Sequence, residues 1–174
     1  MKQTGFTLVE LLVVVIIMGV LTSIAMPQYR RSMDRSKAAE AMQMLPALFE
    51  ARERWMIENE CIWSNGEMNC PSSVNLSKWT PKLLDIESKG TIDGSTIKTK
   101  NFTYNLVAKG SVAQACVSAK PEWGGSRGIT GATIWYRGDK FTCSDTDTNH
   151  KGCDILNVIR AKEKGTALEY KGCI

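Results

Sequence analysis

The sequence predicts an α+β fold in which one long N-terminal helix packs on an antiparallel sheet of about four strands. Three observations carry that reading. An apolar run near the N-terminus passes directly into an amphipathic pattern with three-and-four spacing. Beyond Glu60 the periodicity changes to short β-branched and aromatic segments set between turn residues. All six cysteines, at 61, 70, 116, 143, 153 and 173, fall in that second part.

From Phe6 to Met26 the chain carries one ionisable group, Glu10, in 21 residues. At ~1.5 Å per helical residue the run spans about 30 Å, the thickness of a bilayer core. No small-residue cleavage site follows it, so the anchor is expected to be retained. Apolar residues then recur at Ala38, Ala41, Met42, Leu45, Leu48, Phe49, Trp55 and Met56, one helical face. Asp34, Arg35, Lys37, Glu40, Glu50, Glu53, Arg54 and Glu58 are read as its solvated side. Gly19, Pro27 and Pro46 interrupt the helix, and the prolines predict bends near 23 and 42; whether Pro46 kinks or divides it stays open.

Strands are predicted at Phe102 to Ala108, Val112 to Ala119, Ala132 to Arg137 and Phe141 to Cys143. Lys109-Gly110 and Gly138-Asp139 are short enough to close hairpins, and Trp123 to Gly128 is a longer loop. With 174 residues, 43% of them hydrophobic, the chain suffices for one domain plus an appendage. Its net charge of +4 is modest and decides nothing about fold. An even cysteine count confined to one domain predicts disulfides and an oxidising compartment. Zinc is a poor rival, because there is no CxxC pair and the one histidine, His150, lacks a second ligand at metal spacing. Pairing is not unique, although Cys61 and Cys70 bracket a polar loop just after the helix.

Glu10 is the informative residue. A carboxylate in hydrocarbon costs roughly 2.5–3.5 kcal/mol on insertion scales unless something offsets it. Lys2 lies eight residues earlier, and the next basic residue is Arg30. If the chain were cut before Phe6, the new α-amino group would sit at the depth of Glu10 in a slightly shifted neighbouring helix. That predicts pairing between chains.

Gly5-Phe6-Thr7-Leu8-Val9-Glu10, preceded by a short leader containing Lys2 and followed by the apolar run, resembles the type IV prepilin signal. The resemblance continues through Pro27-Gln28-Tyr29 and covers the first third of the chain strongly. It implies that a prepilin peptidase cuts between Gly5 and Phe6 and N-methylates Phe6. Glu10 then matches the acidic residue that neutralises the amine of an adjacent subunit. The implied divisions are a leader at 1–5, a membrane-spanning and filament-core segment at 6–28, an amphipathic segment at 29–60 and a disulfide-bonded headgroup at 61–174. The implied fold is the α+β roll of type IV pilins. The implied partners are further copies of the chain in a homopolymer, the peptidase and an inner-membrane assembly platform. The subunit would cross the inner membrane once and then enter an extracellular filament serving adhesion, motility or DNA uptake. Gly19 to Pro27 matches the stretch that can loosen on assembly. Cys143 and Cys153 resemble the disulfide-bounded terminal loop of many pilins, and elimination leaves Cys116 with Cys173. The alternative in the same family is a pseudopilin of a type II secretion system.

Several features stand apart from that resemblance. The positive-inside rule would place Arg30, Arg31, Arg35 and Lys37 in the cytoplasm, whereas the pilin topology puts them outside. Asp145-x-Asp147-x-Asn149 imitates the opening of a calcium loop, but His150 stands where glycine is needed and Leu156 where the closing glutamate belongs, so no metal is expected. Trp123, Arg127, Trp135, Tyr136, Arg137 and Lys140 would suit stacking on single-stranded DNA if they formed one surface, although strand aromatics are more often cross-strand partners. Asn75-Leu76-Ser77 and Asn101-Phe102-Thr103 fit the N-glycosylation pattern. No catalytic arrangement or cofactor motif emerges, so the chain reads as a structural subunit.

Overall fold

A single α-helix, α1 (Leu8–Glu58), runs unbroken through Pro27 and Pro46. This computed structural model describes residues 7–64, 67–74, 80–86, 90–106, 116–146 and 151–158. Pro46 does not divide the helix, and the bends expected near 23 and 42 fall inside a continuous element. Each proline removes a backbone donor from the helix interior, which ordinarily costs ~3 kcal/mol. At Pro46 the half-buried site between Leu45 and Leu48, both fully buried, offsets that cost through packing.

The helix is of two kinds along its length. Every residue from Thr7 to Met33 is exposed. From Asp34 onward a stripe of Asp34, Ala38, Ala41, Leu45, Leu48, Ala51, Arg52 and Met56 is buried at three-and-four spacing. Of the anticipated apolar face, Met42, Phe49 and Trp55 lie half-buried against that core. Two charged residues of the helix are buried. Asp34, assigned to the solvated side, is only 2% exposed, and Arg52 is 0% exposed. Both lie on the core face because the headgroup supplies polar partners there, which makes a buried charge tolerable. Alanines at 38, 41 and 51 let the helix axis approach the sheet closely.

Among the described residues the sheet has six strands in sequential antiparallel order: β3 (Thr91–Asp93), β4 (Thr96–Lys98), β5 (Phe102–Asn105), β6 (Val117–Pro121), β7 (Ala132–Tyr136) and β8 (Phe141–Asp145). A separate hairpin, β1 (Ile62–Ser64) with β2 (Glu67–Asn69), follows the helix. The register sets Ile97 opposite Tyr104, Tyr104 opposite Ala119, Ala119 opposite Ile134 and Ile134 opposite Cys143. All five are buried, forming one apolar row across the sheet that α1 covers at β6 and β7. In β5 and β7 their neighbours are less buried, as the two-residue period requires, whereas Ser118 in β6 and Thr142 in β8 are buried too.

The sheet exceeds the predicted four strands because the β3–β4 hairpin reads as polar sequence, with Ile92 and Ile97 as its only large apolar residues. Its turn, Gly94-Ser95, uses the positive φ of Gly94 at 55°. The Gly138-Asp139 turn does close β7 on β8, and Gly138 takes φ 93° beneath the ring of Phe49. The Lys109-Gly110 turn lies outside the described residues.

Disulfides join Cys61 to Cys70 across the β1–β2 hairpin and Cys143 to Cys153 from β8 to a short helix, α2 (Lys151–Leu156). Cys116 is also disulfide-bonded, and Cys173 lies outside the described residues. Sequence periodicity gave no sign of α2, which has only six residues. It is held by the Cys153 bond and by the close approach of Gly152, where a β-carbon would meet Ala132, Asp145 and the Gly128 carbonyl within 3 Å.

Candidate assembly site

The exposed half of α1 begins at a capping box. Thr7 is the N-cap, and its hydroxyl accepts the Glu10 amide at 3.3 Å. Glu10 reaches back, and its Oε2 accepts both the Thr7 amide at 2.8 Å and the Thr7 hydroxyl at 2.7 Å. The Thr-Leu-Val-Glu spacing is the sequence signature of this cap. Both bonds fall on one carboxylate oxygen, and among the described residues no donor is recorded at Oε1. Glu10 therefore stabilises its own helix while keeping one oxygen available. Gly5 and Phe6, the expected processing pair, lie outside the described residues.

Around Glu10 the surface is apolar on every side. Leu8 is 80% exposed, and Val9, Leu11, Leu12, Val13, Val14, Val15, Ile16 and Ile17 are all exposed with it. Such a continuous apolar surface is far larger than a water-soluble monomer carries. By length and composition this end of α1 can cross a membrane. The basic residue nearest along the helix, Arg30, is about 30 Å away, so no cation on this helix can neutralise Glu10. Gly19 faces open space, with no neighbouring group within 4 Å of where a β-carbon would stand. Pro27 withholds the donor that the Ser23 carbonyl would otherwise take, and the Ser23 hydroxyl turns back to the Val20 carbonyl at 2.7 Å.

The headgroup fastens to the other half of the helix by polar clamps set along the buried stripe. Asp34 receives the Trp123 indole at 3.0 Å and a bidentate grip from Arg127, whose second bond is 3.0 Å. Half-buried Glu40 accepts from Asn101 at 2.6 Å, Thr99 at 3.2 Å and the Tyr104 hydroxyl at 3.5 Å. Burial, followed by the Glu40 charge, pushes the Tyr104 hydroxyl well above its usual pKa. Arg52 donates to the Cys116 carbonyl at 3.3 Å and to Glu53 at 3.1 Å, and its guanidinium lies 4.9 Å from the Phe49 ring centre. Burial lowers the Arg52 pKa, with Glu53 acting in the opposite sense. At the surface, Arg54 grips Asp85 with bonds of 2.8 and 3.2 Å and holds its carboxyl below the usual range.

Similar contacts occupy most of the aromatic and basic set, which is not gathered on one exposed surface. Trp123 packs edge-on against Phe102 and serves Asp34, Arg127 serves Asp34, Trp135 donates to Ser144 and Tyr136 packs on Phe49 and Phe141. Only Arg137 and Lys140 of the six are fully exposed. They form no continuous platform for stacking bases. Asn101 of the glycosylation pattern is half-buried, with its amide occupied by Glu40. In the calcium-like stretch, Asp145 accepts the Gly152 amide at 2.8 Å, while Asp147 and Asn149 lie outside the described residues.

Residues 1–26 match the family described as "Prokaryotic N-terminal methylation motif". A type IV major fimbrial protein of Dichelobacter nodosus is 36% identical over 119 residues, covering 61% of this chain and 74% of the relative. A probable minor fimbrial protein of the same organism is 38% identical over 128 residues, covering 70% and 80%. The chain belongs to the type IV pilin family. The type II secretion system core protein G of Pseudomonas aeruginosa is 34% identical over 58 residues, covering 33% of this chain and 41% of that protein. No solved structure matches. The long helix on an antiparallel sheet is the α+β architecture expected of a pilin.

Proposed function

We propose that this pilin is a structural subunit of an extracellular type IV filament, cut before Phe6 and polymerised through the exposed half of α1. The observation that carries the reading is Glu10, a carboxylate alone among exposed apolar side chains with no cation on its own helix within reach. In the precursor the capping box satisfies part of its hydrogen-bonding capacity. Cleavage between Gly5 and Phe6 would create an α-amino group two residues before Leu8. The amine of a neighbouring subunit could then meet the Glu10 oxygen that the cap leaves available. The apolar side chains would bury against other copies as the helix leaves the bilayer. Gly19 to Pro27, the weakest stretch of the helix by backbone propensity, would loosen to accommodate that packing. Apart from this assembly step, no chemistry is assigned to the chain.

The test is Glu10→Ala in the native host. Precursor insertion and cleavage should persist, read by mass spectrometry as a methylated Phe6 N-terminus, while surface filaments fall to background. Filaments at normal yield would refute the pairing, and a different mature N-terminus would refute the processing step. A secretion pseudopilin is the second reading because of the likeness to the core protein G over 58 residues, a third of this chain. The fimbrial matches span 119 and 128 residues and so extend into the headgroup, which favours a pilus. Secretion lost in a deletion strain that still bears filaments would reverse that preference.

A further inference from the structure

Four basic residues follow the apolar run on the side that the positive-inside tendency leaves poor in cations. The structure accounts for one of them, since Lys37 lies 5.0 Å from the Trp123 ring centre. Arg30, Arg31 and Arg35 are exposed, as is Lys151 of α2, and none forms an ion pair among the described residues. They are not scattered. Ser23, Met26, Pro27, Arg30, Arg31 and Asp34 lie at three-and-four spacing on the helix face turned toward the underside of the headgroup. Between that face and the headgroup lies a groove of about 550 Å³, continued past Arg31 and Ile155 by a second of about 430 Å³ that Arg35 and Lys151 line. Met26 and Pro27 form its apolar end a turn before Arg30 and Arg31, Ile155 of α2 adds an apolar side chain to both grooves, and the remaining described lining is mostly cationic. Among the described lining residues the acidic ones are Asp154 and Asp34, and Arg127 neutralises Asp34.

The depth of the groove selects the occupant. Met26 ends the hydrocarbon-spanning run, so Arg30 and Arg31 stand about 6 Å beyond it along the helix axis. A bilayer of about 40–45 Å with a core of about 30 Å leaves roughly 5–8 Å of polar headgroup on each face. The guanidinium groups therefore stand among lipid phosphates, with apolar wall below them where acyl chains begin. We propose that this groove binds an anionic phospholipid, its phosphate held by Arg30, Arg31, Arg35 and Lys151 and its upper acyl segment laid along Met26, Pro27 and Ile155. The proposal rests on the reading of α1 as membrane-spanning. It gives the headgroup a fixed seat on the bilayer before assembly and gives the outward cations a purpose that topology alone denies them.

The full chain, incorporated in nanodiscs of phosphatidylcholine with one part in three phosphatidylglycerol, is extracted in mild detergent and its retained lipid counted by native mass spectrometry. Each cation near an anionic surface adds about fivefold in affinity, the equivalent of about 1 kcal/mol. The wild-type chain should retain phosphatidylglycerol over phosphatidylcholine by at least about tenfold after correction for composition, and high salt should reduce the preference. Arg30→Gln/Arg31→Gln/Arg35→Gln should abolish it, with the headgroup melting temperature unchanged because none of the three contacts the core. Equal retention of the two lipids by the wild-type chain, or an undiminished preference in the triple variant, overturns the proposal. A triple variant that lowers filament yield while wild-type lipid preference is absent would assign the groove to a neighbouring subunit instead. A chain that fails to enter nanodiscs overturns the membrane-spanning reading itself, an outcome distinct from entry without preference.

Discussion

Removing the Asp34 carboxylate should loosen the first attachment between helix and headgroup. Asp34 is 2% exposed and accepts from Trp123 and from both terminal nitrogens of Arg127. Breaking one side of a fully buried ion pair costs about 3–5 kcal/mol. The Arg127 side chain is 36% exposed and can turn into water once released, which removes roughly half of that penalty. The indole loses a bond to a charged acceptor, and the site keeps a small void. Asp34→Ala should therefore cost about 2–4 kcal/mol, or roughly 6–12 °C in melting temperature for a domain of this size. Asp34→Asn keeps an acceptor for Trp123 and should lose about half as much. The assay is thermal unfolding of the full chain in detergent, followed by near-ultraviolet circular dichroism of the headgroup aromatics. Combining Asp34→Ala with Arg127→Met should give a coupling of at least about 1 kcal/mol. A single variant melting within about 2 °C of the parent, or a strictly additive double variant, would refute the clamp.

Tyr104 carries a pH prediction whose sign follows from its environment. Its folded pKa is raised by burial and by Glu40, so the stability it supports is complete below the unfolded value near ~10 and declines as pH rises past it. The melting temperature of Tyr104→Phe should fall less steeply than the parent's above about pH 10, and parallel curves would contradict this. Replacing Cys143 and Cys153 together with serine releases a closure of sequence separation 10 and should cost about 2.5–3 kcal/mol on a chain-entropy account. Because α2 is too short to persist alone, hydrogen exchange at Ile155 and Leu156 should rise to unprotected rates, and retained protection would show that packing suffices.

The apolar half of α1 was legible in the sequence because hydropathy is a local property and Glu10 stands out against it. The buried stripe of Ala38, Ala41, Leu45 and Leu48 was equally plain, since helical spacing repeats over several turns. Asp34, Glu40 and Arg52 were not. A charged residue on a core face is readable only when its partner is known, and Arg127, Asn101 and Cys116 are each more than 60 residues away. The individual partners of Trp123, Arg127, Trp135 and Tyr136 were equally unreadable, because composition says nothing about which neighbour claims each side chain. Strands β3 and β4 escaped because only one residue of each is apolar, so the pairing and the Gly94 turn define them where periodicity does not. The Thr7–Glu10 cap is present in the sequence as a spacing, and the bonds between the two residues identify it as a cap.

The continuity of α1 through Met33 and Asp34 makes the headgroup a rigid extension of its own anchor. While that helix is intact there is no swivel between them, so the azimuth of the headgroup follows that of the apolar half, and the loosening proposed for Gly19 to Pro27 on assembly would release it. One residue inserted between Met26 and Asp34 would rotate the whole headgroup by about 100° and raise it by about 1.5 Å. Length in that short span is thus a setting of headgroup orientation relative to the anchor, independent of which side chains fill it.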